Sequence, residues 1–376
     1  MTIDYIFCSY MLLLLVGAFV VVYFVTPKII SIVEYKQLMD QPNKRSSHTM
    51  MVPNLGGISF YIVLVLGLFF LQQWDNQNIA MSLMPGLLIL FMVGIKDDLV
   101  ILAPLSKILA QTLAITFLLL NPAFHIHELN GFLGVYSVNI LISIPLSAFI
   151  MLTIINAFNL IDGIDGLAST IAIIIFSLLG AMFCWLGMYF FTGVSIIMIG
   201  SLLAFLRYNL STKKKIFMGD TGSMIIGFII AVCVIRLFAI PQSILKGLPI
   251  QLENLPLIVM AILIVPFFDT ARVFTIRIMN KKKPFAPDRN HIHHLLIDLL
   301  KLSHRRASFL IGAVNFLFVL VFLSLGAVIS NWKLLVVFIV LTVLITYLFY
   351  RNTMLFKKRR KIIIKRQRRK LKQKKN

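Results

Sequence analysis

Eleven apolar segments of about 17–23 residues recur along the chain, at roughly 4–26, 55–72, 79–95, 103–121, 138–156, 167–186, 188–206, 222–240, 256–278, 307–329 and 333–350. That is the length a helix needs to cross a hydrocarbon core. Helices are required, because an open sheet edge cannot satisfy its backbone groups in lipid. The expected fold is therefore all-α, a polytopic transmembrane helix bundle of about eleven spans. A soluble alternative fails on composition. With 59% hydrophobic and 13% charged residues and a mean hydropathy of +0.93, too much apolar surface would stay in water. The first segment has no basic stretch before it and no small-residue cleavage site, so it reads as a retained span. Cys8, Cys184 and Cys233 each lie inside an apolar run, which suggests neither a disulfide framework nor a metal-ligand spacing.

Charge sets the orientation. With the N-terminus outside, the outer loops hold only Lys246 and Lys333, and Arg236 lies near the outer end of its span. The other 33 Lys and Arg then fall inside or near the inner surface, with the C-terminus cytoplasmic. Fourteen of the 36 follow Tyr350. Residues 1–350 thus read as one integral-membrane domain, and 351–376 as a polybasic tail suited to anionic headgroups. A solvated, disordered charge run explains the tail equally well. The basic residues flank apolar spans, so the net charge of +22 points to a membrane surface and not to nucleic acid. In the outer loop 122–137, "LNGF" between β-prone pieces predicts a small hairpin.

In this topology the acids and histidines gather at the inner face. Asp97 and Asp98 ("KDD") end the third span. Asn156, Asn159, Asp162 and Asp165 ("NAFNLIDGIDG") follow the fifth. Asp220 ("FMGDTGS") opens the eighth, Asp269 lies in the ninth, and "PDRNHIHHLL" carries Asp288, Arg289, His291, His293 and His294. Each has a plainer reading. "KDD" can be a span end reaching water, and "DGIDG" and "MGDTGS" can be helix caps. "HIHH" can be a surface cluster, and Arg272 and Arg277 membrane anchors. Independent caps, however, have no reason to bring acids and bases to one boundary, where ionisable groups are costly. A helical turn would put Asp162 and Asp165 on one face. Carboxylates without cysteine suit a hard divalent cation such as Mg²⁺, and the nearby cations suit a phosphate-bearing substrate.

These motifs, in this order, resemble the polyprenyl-phosphate N-acetylhexosamine-1-phosphate transferase superfamily, and "NKRSSHTMMVPNLGGISF" is similar to its early motif. The resemblance implies a bacterial cytoplasmic-membrane enzyme with an inward-facing, Mg²⁺-dependent site (Mn²⁺ an alternative ion), a UDP-amino-sugar donor, undecaprenyl phosphate as acceptor, and a homodimer among its possible assemblies. It implies that Asp97, Asp98, Asp162 and His293 are catalytic, the first two at the acceptor phosphate, and that Asp220, with Asp162, holds the metal. Asn159, Asp165 and Phe217 would bind the nucleotide. His291, His293, His294, Arg289 and Lys44 would attend the diphosphate, with Arg45 and His48 beside them. "DRNHIHHLL" departs from the "PIHHHFE" of the muramoyl-pentapeptide branch, which favours an N-acetylglucosamine-1-phosphate transferase that primes cell-surface polysaccharide. The pentapeptide transferase is the runner-up. A secondary transporter fits less well, because its polar groups would sit at the midplane in two related halves.

Overall fold

The computed structural model describes residues 5–40, 52–279, 281, 291–292, 295–297, 301–348 and 350–351. Lys44, Arg45, His48, Asp288, Arg289, His293, His294 and the tail from residue 352 lie outside the described residues.

Every apolar segment is helical. The helices are α1 (Tyr5–Tyr35), α2 (Gly57–Phe70), α3 (Ile79–Leu99), α4 (Pro104–Leu119), α5 (Ile140–Ile161), α6 (Leu167–Trp185), α7 (Tyr189–Asn209) and α8 (Gly219–Phe238). After them come the short α9 (Gln242–Leu245), then α10 (Leu255–Ile262), α11 (Ile264–Met279), α12 (His304–Gly326) and α13 (Asn331–Leu348). Among the described residues, eight are long and apolar enough to cross a membrane alone, and nine if α10 and α11 count as one. The helices α2 and α4 have 14 and 16 residues. At 1.5 Å per residue they reach about 21 and 24 Å, short of a ~30 Å core.

The segment read as one continuous ninth span is broken. Its halves meet at 68° around Leu263. Pro266 supplies the reason: it has no N–H for the Ile262 carbonyl, and its ring crowds that turn.

The centre of the bundle is α8. Its sequence from Thr221 to Phe238 is apolar nearly all round, and every one of those residues is buried. It packs against α2, α3, α5 and α6. Two glycines set how closely. A Cβ on Gly57 would lie 2.2 Å from the Gly222 nitrogen, and one on Gly94 would lie 2.5 Å from Thr221 Cα. Only glycine lets α2 and α3 reach the first turn of α8. At the periphery, Leu12, Phe24, Met92, Leu109 and Phe149 stay exposed, as lipid-facing residues do.

The expected outer hairpin is present as β3 (Glu128–Phe132) paired antiparallel with β4 (Val135–Ser137). A second pair, β1 (Met39–Asp40) with β2 (Val52–Pro53), ties the end of α1 to the chain entering α2.

Candidate active site

The first turn of α8 organises the site. Gly219 has φ +73°, and a Cβ there would meet the Asn54 carbonyl oxygen at 2.2 Å and both Asp98 carboxylate oxygens within 2.7 Å. Asp98 uses that closeness to cap the helix. Its Oδ1 accepts from the Asp220 N–H at 2.7 Å, and its Oδ2 accepts from the Thr221 N–H at 3.1 Å and the Thr221 hydroxyl at 2.6 Å. The Asn54 amide adds a bond at 3.3 Å. A carboxylate among unpaired N–H groups at a helix start is stabilising twice over, by hydrogen bonding and by the helix dipole. The "VPNLGG" segment is laced to the same turn. Phe217 N–H donates to the Pro53 carbonyl, and Gly56 and Gly57 N–H donate to the carbonyls of Phe217 and Met218, at 2.8–3.1 Å.

Asp220 is the meeting point of four helices. Asn159 of α5 donates to its Oδ1 at 2.7 Å and also to Ser223 Oγ at 2.7 Å. Lys107 of α4 lies 3.3 Å from the same carboxylate and is ion-paired with Asp97 of α3. The Asp97 side chain is 1% exposed and its Oδ1 accepts from Leu102 N–H, whereas the Asp220 side chain is 31% exposed. Asp220, and not Asp97, therefore presents an accessible carboxylate.

The "DGIDG" loop forms a second cluster. It is not a helical turn, so Asp162 and Asp165 do not share one helix face as the spacing suggested. Asp162 sits at the C-terminal end of α5, and Gly166, at φ +80°, opens α6. Asn209 holds the loop by accepting from Gly166 N–H at 2.6 Å while donating to the Ile216 carbonyl at 2.9 Å. Asp165 accepts from Lys215 at 2.7 Å and faces His304 Nδ1 at 3.2 Å. Burial works against the charge on Asp165, but the bonds from His304 and Lys215 outweigh it and hold its carboxyl below the usual range. The Lys215 ammonium lies 5.2 Å from the centre of the Phe217 ring, so these two residues and Asp165 belong together. Among the described residues no cation offsets the surroundings of Asp162. Burial, reinforced by the charges of Asp220 and Asp165, pushes its carboxyl up to about 7.

His291 is held on α11: its Nδ1 is 2.7 Å from Asp269 Oδ2, and Asp269 Oδ1 accepts the next N–H, from Ile292, at 2.8 Å. Asn156 serves packing, donating to Gln111 at 2.7 Å and back to its own helix. Among the described residues no three carboxylates, imidazoles or thiols are close enough to form a ready-made metal cage. Half-buried but accessible Asp220 with Asp162 nearby offers hard oxygens only, the kind of set that holds Mg²⁺ jointly with substrate phosphates.

The model of glycosyl transferase family 4 matches residues 80–238, which carry Asp97, Asp98, Asn159, Asp162, Asp165, Phe217 and Asp220. A Bacillus subtilis (strain 168) protein named "Probable undecaprenyl-phosphate N-acetylglucosaminyl 1-phosphate transferase" is 32% identical over 288 residues, 74% of this chain and 75% of that protein. The chain belongs to glycosyl transferase family 4. A decaprenyl-phosphate N-acetylglucosaminephosphotransferase of Mycobacterium leprae is 30% identical over 80% of each chain. A phospho-N-acetylmuramoyl-pentapeptide-transferase of Staphylococcus haemolyticus is 36% identical over 54% of this chain and 67% of its own length. The chain is thus a membrane-embedded enzyme of the family's phosphoglycosyltransferase type, and the two N-acetylglucosamine-phosphate relatives match more of it than this pentapeptide transferase does.

Several residues of this candidate site were missed in the sequence. Lys107 carried a signal, being a cation within an apolar helix at the membrane boundary. Lys215 and His304 were masked by the general excess of inner basic residues. Asn54, Thr221, Ser223 and Asn209 are ordinary polar residues whose roles exist only once the helices pack.

Proposed function

We propose that the enzyme transfers N-acetylglucosamine 1-phosphate from its UDP derivative to undecaprenyl phosphate at the cytoplasmic face, releasing UMP and beginning a cell-surface polysaccharide. The convergence of α3, α4, α5 and α8 on one accessible carboxylate, Asp220, carries this reading. In the reaction a phosphate oxygen of the acceptor bonds to the sugar-bearing phosphorus, the bond to the bridging oxygen breaks, and UMP leaves. Asp220 and Asp162 would hold Mg²⁺, which supplies neutralisation of the diphosphate charge. Lys107, already between Asp97 and Asp220, adds a cation where an incoming phosphate must sit. Asp98 spends both oxygens on the start of α8, so its contribution is to fix Asp220. The acceptor phosphate has a second pKa near 6 and needs little help losing a proton. Asn159 orients Asp220, while Asp165, Lys215 and Phe217 form the pocket wall suited to a nucleoside: a carboxylate, a cation and a ring. His291, fixed by Asp269, would face the diphosphate from α11.

The direct test is purified full-length protein with undecaprenyl phosphate, Mg²⁺ and a panel of UDP-sugars, scoring UMP. Release with UDP-N-acetylglucosamine that requires the acceptor supports the reading. The same panel includes UDP-N-acetylmuramoyl-pentapeptide, which the Staphylococcus relative's name recommends; turnover of that donor alone would reassign the branch. No UMP from any donor would refute the assignment.

A further inference from the structure

At the end of α8 opposite Asp220 lies a second polar site, for which the transferase reaction has no use. Arg236 is sixteen residues along the same helix, or about 24 Å at 1.5 Å per residue. It is only 7% exposed. One terminal nitrogen donates to the Ala123 carbonyl at 2.9 Å, and the guanidinium carbon stands 5.9 Å from the Phe191 ring centre. Its Nε is buried and has no hydrogen-bond partner among the described residues. Among the described residues no carboxylate forms an ion pair with it. A buried, uncompensated cation is costly, and a guanidinium has five N–H donors to satisfy. The bulk positive-inside pattern does not account for it either, since Arg236 is one of three cations assigned to the outer side.

Arg236 faces a cavity of about 290 Å³, roomier than one water molecule's ~30 Å³. Trp74, Tyr189 and Phe191 line it, together with Asn76, Gln77 and Ile244. Nearby Asp75 is engaged elsewhere: its two carboxylate oxygens accept the N–H groups of Ile79 and Ala80. A rim of Trp and Tyr beside polar amides is the arrangement found at lipid headgroup depth.

We propose that this pocket binds a phosphate-bearing anion through Arg236, supplied by the headgroup of an anionic phospholipid in the leaflet away from the catalytic face. A phosphate oxygen would take up the unpartnered Nε, and the carbon-rich walls would strengthen that charged bond.

Full-length protein purified in detergent would be titrated with phosphatidylglycerol, phosphatidylcholine or inorganic phosphate. Bound lipid would be read by native mass spectrometry, and the melting temperature followed in parallel. The expected result is preferential retention of one phosphatidylglycerol, weakened about tenfold or more by Arg236→Gln. Ile244→Trp, which puts bulk on the cavity wall and keeps the cation, should weaken it similarly. Arg236→Lys, which keeps the charge and loses the fork, serves as the folding control for that position. Stabilisation by inorganic phosphate that Arg236→Gln abolishes, without lipid retention, would keep the anion site and overturn its lipid source. If neither probe distinguishes wild type from Arg236→Gln, or if Ile244→Trp leaves lipid retention unchanged, the pocket binds no such ligand and Arg236 only staples α8 to Ala123.

Discussion

Asp220 is both gripped and open, and that combination gives it a different mutational signature from its neighbours. Asp220→Asn keeps the bond to Asn159 and nearly the same volume, so the melting temperature should change little. Turnover should fall by about 10³-fold, the equivalent of losing several kcal/mol of charge stabilisation; turnover retained at saturating magnesium would remove Asp220 from its assigned role. Lys107 differs because two carboxylates lean on it. Lys107→Met leaves buried Asp97 unpaired, a loss of about 3–5 kcal/mol by analogy with other broken buried pairs. Adding Asp97→Asn should recover most of the stability but not the activity, and thermal melts and UMP release on the four members of the cycle separate the two effects. Asp162 makes a pH prediction. Its carboxyl is pushed up to about 7 in the folded protein, against 3.8 ordinarily. Between those values the folded state holds a proton that the unfolded state has lost, so metal-free stability declines as pH rises through that window. Melting curves in chelator from pH 5 to pH 8 should slope downward in the wild type, and less steeply in Asp162→Asn.

At the scale of elements, the site depends on how near α2 and α3 come to the start of α8. Gly94→Ala would place a methyl 2.5 Å from Thr221 Cα. Overpacking of this kind costs about 1–3 kcal/mol, and here the displacement also moves Asp97 and Asp98 relative to Asp220. Melting temperature and turnover should drop together, whereas Gly17→Ala, with nothing within 4 Å of the new Cβ, should alter neither. The elements themselves were largely legible: hydropathy alone located every apolar helix, and "LNGF" located the hairpin. Two features escaped. The break at Leu263 was written in Pro266, but a continuous apolar run hides a bend because lipid and protein interior look alike in composition. The "DGIDG" loop kept the spacing of a helical turn while its glycines and Asn209 drew it into another shape. Of the site, the acids showed because carboxylates are rare in such a chain. Lys107, Lys215 and His304 did not, because a chain with 36 Lys and Arg offers no contrast against which one cation stands out.

For the molecule as a whole, both chemistries require a definite orientation. The Asp220 cluster and the Arg236 pocket lie at opposite ends of one buried helix, so they must face different leaflets wherever α8 spans the bilayer. Basic residues crowd the Asp220 end, in Lys213, Lys214, Lys215 and Arg305, which is why our proposal has this end face the cytoplasm under the charge rule. The native thiols are Cys8, Cys184 and Cys233, none in a disulfide, so a cysteine-free background is attainable. In that background Thr212→Cys, on the exposed loop before α8, should react with a membrane-impermeant maleimide only after cells are opened. Gln77→Cys, exposed in the loop between α2 and α3, should react in intact cells. The reverse pattern would turn the molecule over and put the transferase site out of reach of cytoplasmic UDP-sugars. Labelling of both from one side would mean that α8 does not cross the bilayer, and then neither the catalytic face nor the opposite lipid pocket could stand as described.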